Sequence, residues 1–413
     1  MDKTYVYMQP EYVRRFQCDG QACGAKCCQG WKVPIDPSMY KKYVGIKPKS
    51  EARRIVDHIK FDPKFERYVV EHGADGQCPF LTGDNWCSIQ RRYGEEFLSI
   101  TCASYPRVTH DLGGFFERAL SMSCPVATEL ILSSTEPLSF EQIECDERYH
   151  RAGGGISTSK LPRAVLEQAF NVQYAAISIL QSRNLSIDER LIVLGFYLDR
   201  LDELIGSARS DEIETLSAMY SSKEFLDDEA RRLSDGIDFD TKKYIRTMFG
   251  LLDALYGEQS KFKNSNRRYI DAVSDALEVS IDENKGASLS ELAKNYRRLD
   301  GARQNFLERH SIELEHYLVN EFFLGLYPWR LVGSIAQNYG AFVATYKILE
   351  LIALSLEVQW RKWHRGEAEP PKNFRLPATI AMLSMNVDHT REYSQCLLTH
   401  LDGDVLSIMK SLL

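Results

Sequence analysis

The chain has 413 residues and 44% hydrophobic content, enough for two or three domains around a sizeable buried core. Its formal charge of −7, from 51 basic and 58 acidic residues, leaves no global basic field, so no nucleic-acid partner is expected. The opening residues, Met1-Asp2-Lys3-Thr4-Tyr5-Val6-Tyr7-Met8, offer neither an apolar signal core nor a small-residue cleavage site, and a soluble cytoplasmic protein is expected.

Along the first 150 residues, Gly, Pro, Cys and aromatic residues are frequent and helical periodicity is weak. This predicts an irregular module whose loops are fixed by metal ligation. Eight of the ten cysteines, Cys18, Cys23, Cys27, Cys28, Cys78, Cys87, Cys102 and Cys124, precede residue 125; Cys145 and Cys396 stand apart. In a reducing compartment such clustering points to thiolate ligands rather than disulfides. Gly20 and Gly24 permit tight turns in the Cys18–Cys28 segment. Adjacent cysteines do not easily share one tetrahedral metal, so Cys27 and Cys28 raise a question of partition. Two four-thiolate sites are arithmetically possible, as is one site of four thiols with four structural cysteines. Zinc and iron–sulfur clusters both accept four thiolates, and the spacing does not separate them.

From 151 to 162 the run Arg-Ala-Gly-Gly-Gly-Ile-Ser-Thr-Ser-Lys-Leu-Pro has no periodicity and reads as a linker. Residues 163–413 then read as a helical domain, making the fold class mainly α. Apolar periodicity covers Ala164–Leu180. Ser186 with Glu189 forms a capping box ahead of Leu191, Leu194, Leu198, Leu201 and Ile205, and Gly206 ends the pattern. Ser288 with Glu291 repeats the device before Leu289, Leu292, Tyr296 and Leu299. The run Phe322–Trp329 reads as core. The apolar stretch from Leu331 to Leu356 is interrupted by Gln337, Asn338, Lys347 and Glu350, which fits a buried helix and not a membrane span. Peripheral membrane association stays compatible with the sequence, and nothing in it signals an oligomeric state. A last helical pattern runs from Tyr393 to Met409 and contains Cys396 as a small core residue.

Cys23-x-x-x-Cys27-Cys28, Cys78-Pro79-Phe80-Leu81, Cys87-Ser-Ile89, Cys102-Ala-Ser-Tyr105-Pro106-Arg107 and Cys124 together resemble the CxxxCC family of zinc- or iron-chelating domains. With the upstream Cys18 and the long helical part, the whole chain resembles the bacterial flagellin lysine-N-methylase family. That resemblance implies an enzyme transferring methyl groups from S-adenosylmethionine to lysine ε-amino groups of flagellin before export. It also implies a cysteine-bound iron–sulfur cluster of the four-iron (4Fe-4S) type, with zinc as the alternative. Carried over by position, the ligand candidates are Cys18, Cys23, Cys27, Cys28, Cys78, Cys87, Cys102 and Cys124.

Methyl transfer to lysine needs a deprotonated amine in an aligned, dry site. Tyr105 and Asp111 are candidates for the proton acceptor, and neither residue type at those positions is specific enough to assign it. His110, near Cys102, reads as a surface or hydrogen-bonded histidine rather than a substitute ligand. No G-x-G-x-x-G loop joins a strand to a helix, and the triple glycine at 153–155 reads as a flexible loop, so a Rossmann methyltransferase is disfavoured. The thiol cluster equally fits a non-catalytic zinc- or iron-binding module, a metal-delivery protein or an interaction scaffold.

Overall fold

The computed structural model describes residues 4–20, 23–24, 26–29, 33–63, 66–112, 115–146, 163–234, 236–256, 267–278, 288–329, 333–364, 371, 375–387, 393, 397–399, 401 and 403–413. The chain divides into two compact units, Met1–Leu130 with Ser139–Gly155, and Ile131–Leu138 with Ile156–Leu413. The expected linker at 151–162, its triple glycine and Cys396 lie outside the described residues.

The first unit holds two small sheets that weak helical periodicity alone did not reveal. Seven strands are described: β1 (Thr4–Pro10), β2 (Pro34–Ile35), β3 (Ile59–Asp62), β4 (Arg67–Val70), β5 (Arg107–Asp111), β6 (Phe116–Leu120) and β7 (Phe140–Asp146). The larger sheet has the order β5-β6-β1-β7, the smaller β2-β4-β3. β1 is parallel to β6 through Tyr7↔Phe116 and antiparallel to β7 through Tyr7↔Ile143. Its Tyr-Val-Tyr-Met run suits a pleated surface, where aromatic and β-branched side chains pack across strands. The smaller sheet carries its own core of Val33, Ile35, Met39, Tyr43, Ile55 and Phe80, with Cys78 and Cys87 packed against it. The helix Pro37–Val44 is fixed on this core by Asp36, whose carboxylate accepts from the Met39 N–H at 2.8 Å, and by a proline at its first turn.

The second unit is a helical body. Helix Ile187–Gly206 begins with the expected capping box: the Ser186 N–H donates to Glu189 at 2.6 Å and the Glu189 N–H to Ser186 Oγ at 3.3 Å. Leu191, Leu194, Leu198 and Leu201 are buried along one side. Helix Leu289–Arg297 carries the same box from Ser288 and Glu291. Ala164–Leu180 is realised as two helices, Arg163–Glu167 and Ala169–Leu180. Phe322, Phe323, Leu326 and Tyr327 are buried, as core residues should be.

The apolar stretch near the carboxyl end becomes helix Ile335–Trp363, started by a third capping box from Ser334 and Gln337. No helix among the described residues is long and apolar enough to cross a membrane. The polar interruptions have a structural use. Lys347 and Glu350, both 2% exposed in their side chains, join Asp188 and Arg303 in a charge network. Lys347 Nζ donates to Asp188 at 2.7 Å and to Glu350 at 3.1 Å, and Arg303 binds both carboxylates. Two cations meet two anions, so the buried network is neutral overall. Residues 131–138 belong to this unit: the His316 ring lies 3.0 Å from the Ile131 carbonyl and 2.9 Å from that of Glu136.

Candidate functional site

The eight cysteines ahead of residue 125 all line one cavity of about 360 Å³ in the first unit. Cys18 follows the short helix Tyr12–Arg15, and the chain then turns at Gly20 with φ +58°. A Cβ at Gly20 would sit 3.0 Å from the Trp86 ring, so both the left-handed backbone and the close approach require glycine. Gly24 makes a second left-handed turn at φ +67°, and a 3-10 turn over Lys26–Cys28 brings the Cys27 and Cys28 sulfurs to 3.9 Å.

Backbone pairing brings up the next two thiols. The Cys78 N–H donates to the Cys28 carbonyl at 2.9 Å, and Leu81 bridges Cys87, folding the 78–88 segment back on itself. Cys102 stands in helix Ile100–Ser104, where Ser99 Oγ accepts from its N–H at 3.2 Å. Cys124 is buried immediately ahead of helix Pro125–Leu132.

Enclosure dominates the electrostatics. Burial pushes Cys102 up to about 12, and Cys78 and Cys124 up to about 11. Cys102 lines the cavity and its surface is exposed, yet it is strongly desolvated. Cys18 and Cys87 are raised by the same burial; at Cys87 the N–H groups of Gln90 and Ile89 oppose it without overcoming it. Cys28 is raised by its hydrogen bond to Cys27 and then by burial, and that bond lowers Cys27. Burial thus favours the protonated form at Cys18, Cys78, Cys87, Cys102 and Cys124, so binding a soft cation there means exchanging protons for metal.

The donor set fits an iron–sulfur cluster in number and softness. Four thiolates around a single zinc at ~2.3 Å would bring their sulfurs to about 3.8 Å of one another. Among the described residues no group of three or more His, Cys, Asp or Glu side chains is placed to hold a single metal ion. The thiols instead surround a volume many times the ~30 Å³ share of one water.

Tyr105 lines the cavity, and its hydroxyl lies 3.1 Å from Ser123 Oγ, which is 2.6 Å from Ser121 Oγ. His110 is buried on β5 rather than at the surface, and Asp111 is exposed at the end of that strand; neither lines the cavity. Arg107 stands in the Cys102-Ala-Ser-Tyr105-Pro106-Arg107 segment of the cysteine pattern. It is the one cation among the described lining residues, held over the Phe16 ring at 5.2 Å, with Glu95 the one carboxylate.

A second cavity of about 700 Å³ lies within the helical unit and had no signal in the sequence pattern. Arg183 and Arg190 both bind the buried Glu315, at 2.9 and 3.0 Å, on one part of its wall. Asp188 and Arg303 of the neutral network contribute another part.

A family model described as the FliB lysine N-methylase C-terminal domain matches residues 173–413. Lysine-N-methylase of Salmonella typhimurium is 34% identical over 143 residues, 34% of this chain and 36% of that protein. The Salmonella choleraesuis protein of the same name is 33% identical over a stretch of the same length. The flagellar biosynthetic protein FliU of Salmonella muenchen is 31% identical over 150 residues, covering 36% of this chain and 89% of FliU. The match thus spans about a third of each of the two lysine-N-methylases. No solved structure matches the chain.

Proposed function

Since the chain belongs to the FliB lysine N-methylase family, we propose that it is a protein-lysine N-methyltransferase acting on flagellin with S-adenosylmethionine as methyl donor. The reaction takes place in the cytoplasm before export, and the cavity of the first unit holds an iron–sulfur cluster. The family match over residues 173–413 carries the methylase reading. The convergence of eight thiols on one cavity supports the cluster.

Methyl transfer to an amine needs a neutral nucleophile in fixed orientation away from water. Phe16, Phe80, Trp86 and Leu98 supply apolar wall. An apolar wall beside the site desolvates an amine and favours its neutral form. Tyr105, anchored on Ser123, presents a hydroxyl to hold or pass the proton released. Arg107, fixed over Phe16, is placed to hold a carboxylate. A bound cluster would supply a redox or Lewis-acid centre, and the thiolates would be its ligands.

The test is transfer of isotope-labelled methyl from S-adenosylmethionine to purified flagellin under anaerobic conditions. Label on lysine side chains supports the reading. Unlabelled flagellin, from metal-loaded protein that binds the methyl donor, overturns it.

A further inference from the structure

The cavity of about 700 Å³ in the helical unit is lined by charges that the fold leaves unbalanced. Arg183 and Arg190 share Glu315, at 2.9 and 3.0 Å, so two guanidiniums meet one carboxylate. Glu136 also acts on Arg183, from an exposed position where water and salt screen it. Arg190 is the more deeply placed of the two, with a side chain 4% exposed. Burial holds it below its ordinary value although Glu315 opposes that. Its Nε donates to the Leu185 carbonyl at 3.0 Å, and its Nη1 to the Leu180 carbonyl at 2.9 Å and to Glu315. Nη2 has no hydrogen-bond partner among the described residues, and it is not sealed from solvent. A buried guanidinium with a spare nitrogen and a share of unbalanced positive charge is a seat for a carboxylate.

Helix Asp300–Arg309 brings the opposite charge to the same cavity through Asp300 and Glu308. Among the described residues Asp300 has no partner, and the Glu308 carboxylate accepts only from the uncharged Gln304 amide, at 3.0 Å. Both are exposed, so they form a wet acidic rim. Leu185, Ile187, Leu307 and Ile312 supply apolar wall. Asp188 and Arg303, the remaining charged lining residues, are already balanced within their neutral network. Apolar wall with a few polar groups, in a volume of about 300–1,000 Å³, is the usual form of a small-molecule site.

We propose that this cavity binds a small zwitterion whose carboxylate and cationic group are joined by a short apolar chain. The carboxylate takes the spare nitrogen of Arg190 and the charge of Arg183, the chain lies along the leucine and isoleucine wall, and the cation meets the acidic rim. A basic amino acid has this chemistry, and so does the amino-acid end of S-adenosylmethionine with its sulfonium. The site stands apart from the thiol cavity and does not depend on the metal reading given to that cavity.

The test is calorimetric titration of the full chain with 6-aminohexanoate, hexanoate and hexylamine, which share a carbon chain and differ in their charged ends. The zwitterion should bind about tenfold more tightly than either single-ended compound, the worth of one charged hydrogen bond. In the double variant Asp300→Asn/Glu308→Gln, 6-aminohexanoate should weaken about fivefold while hexanoate holds or tightens. A merely structural role for the rim would weaken both alike. Ile312→Trp fills the cavity without changing a charge and should abolish binding of the zwitterion. L-lysine and S-adenosylmethionine, titrated into the same proteins, separate the two sources, since the occupant is the one whose binding Ile312→Trp removes. No saturable binding of 6-aminohexanoate, equal binding of all three probes, or binding that both variants leave unchanged would overturn the proposal. The rim variant, at two exposed positions, decides the matter if Ile312→Trp fails to fold.

Discussion

Replacing Lys347 by Met tests whether the charge network stabilises the helical unit or merely occupies it. Lys347 is 2% exposed and stands 2.7 Å from Asp188 and 3.1 Å from Glu350. At an effective dielectric of about 20, such contacts are worth about 5–6 kcal/mol each before desolvation is subtracted. Desolvation offsets several kcal/mol per ion, and removing one partner from a buried network costs about 3–5 kcal/mol. Methionine fills much of the lysine volume, so the loss is chiefly electrostatic: Arg303 is left facing two carboxylates. Glu350→Gln creates the opposite imbalance and should cost about 3 kcal/mol. Together the two changes leave Asp188 and Arg303 as a neutral pair, and the double variant should lose about 2 kcal/mol or more less than the sum of the singles. Urea unfolding followed by helical circular dichroism measures all four proteins, taking the transition of the helical unit alone. Strict additivity, within about 0.5 kcal/mol, would refute the idea that these residues form one network.

Three further outcomes follow from the same geometry. Gly20→Ala puts a Cβ 3.0 Å from Trp86 on a backbone with φ +58°, and should destabilise the first unit by about 2 kcal/mol and lower its metal content, as read by thermal unfolding and elemental analysis. Ser186→Ala removes the acceptor for the Glu189 N–H and should cost about 1 kcal/mol in urea unfolding; an unchanged midpoint would show that the box is idle. His310 is lowered by burial but raised more by the Glu313 and Glu357 carboxylates, to about 9. A raised folded-state pKa stabilises fully below the unfolded value of ~6.5 and is lost as pH rises through about 9. Discounted for partial exposure, roughly 2 kcal/mol should disappear across that window, and His310→Gln should flatten the pH profile of stability.

Local grammar made some of this structure readable in advance. Ser186 with Glu189 and Ser288 with Glu291 mark helix starts because a cap is a contact between near neighbours. Ser334 with Gln337 follows the same rule and passed unread. The strands were not legible, since β1 finds its partners at Phe116 and Ile143, more than a hundred positions away. The cysteines stood out as a group, whereas their shared cavity depends on turns at Gly20 and Gly24 and on the Cys28–Cys78 backbone bond. Arg107 was in view inside the motif, and only its placement over Phe16 gives it a role. Asp188, Arg303, Lys347 and Glu350 are scattered over more than 150 positions, so nothing local announced their network.

The central claim is methyl transfer to flagellin by a protein whose thiol cavity carries metal. Mass spectrometry of flagellin after anaerobic incubation with S-adenosylmethionine tests it, comparing the chain as isolated with the chain stripped of metal by chelation. Methyl additions on lysine side chains are expected with the metal-bearing chain, and none with the stripped one. Equal methylation by both would remove the cavity from the reaction. No methylation by either, with the metal-bearing chain intact, would contradict the account.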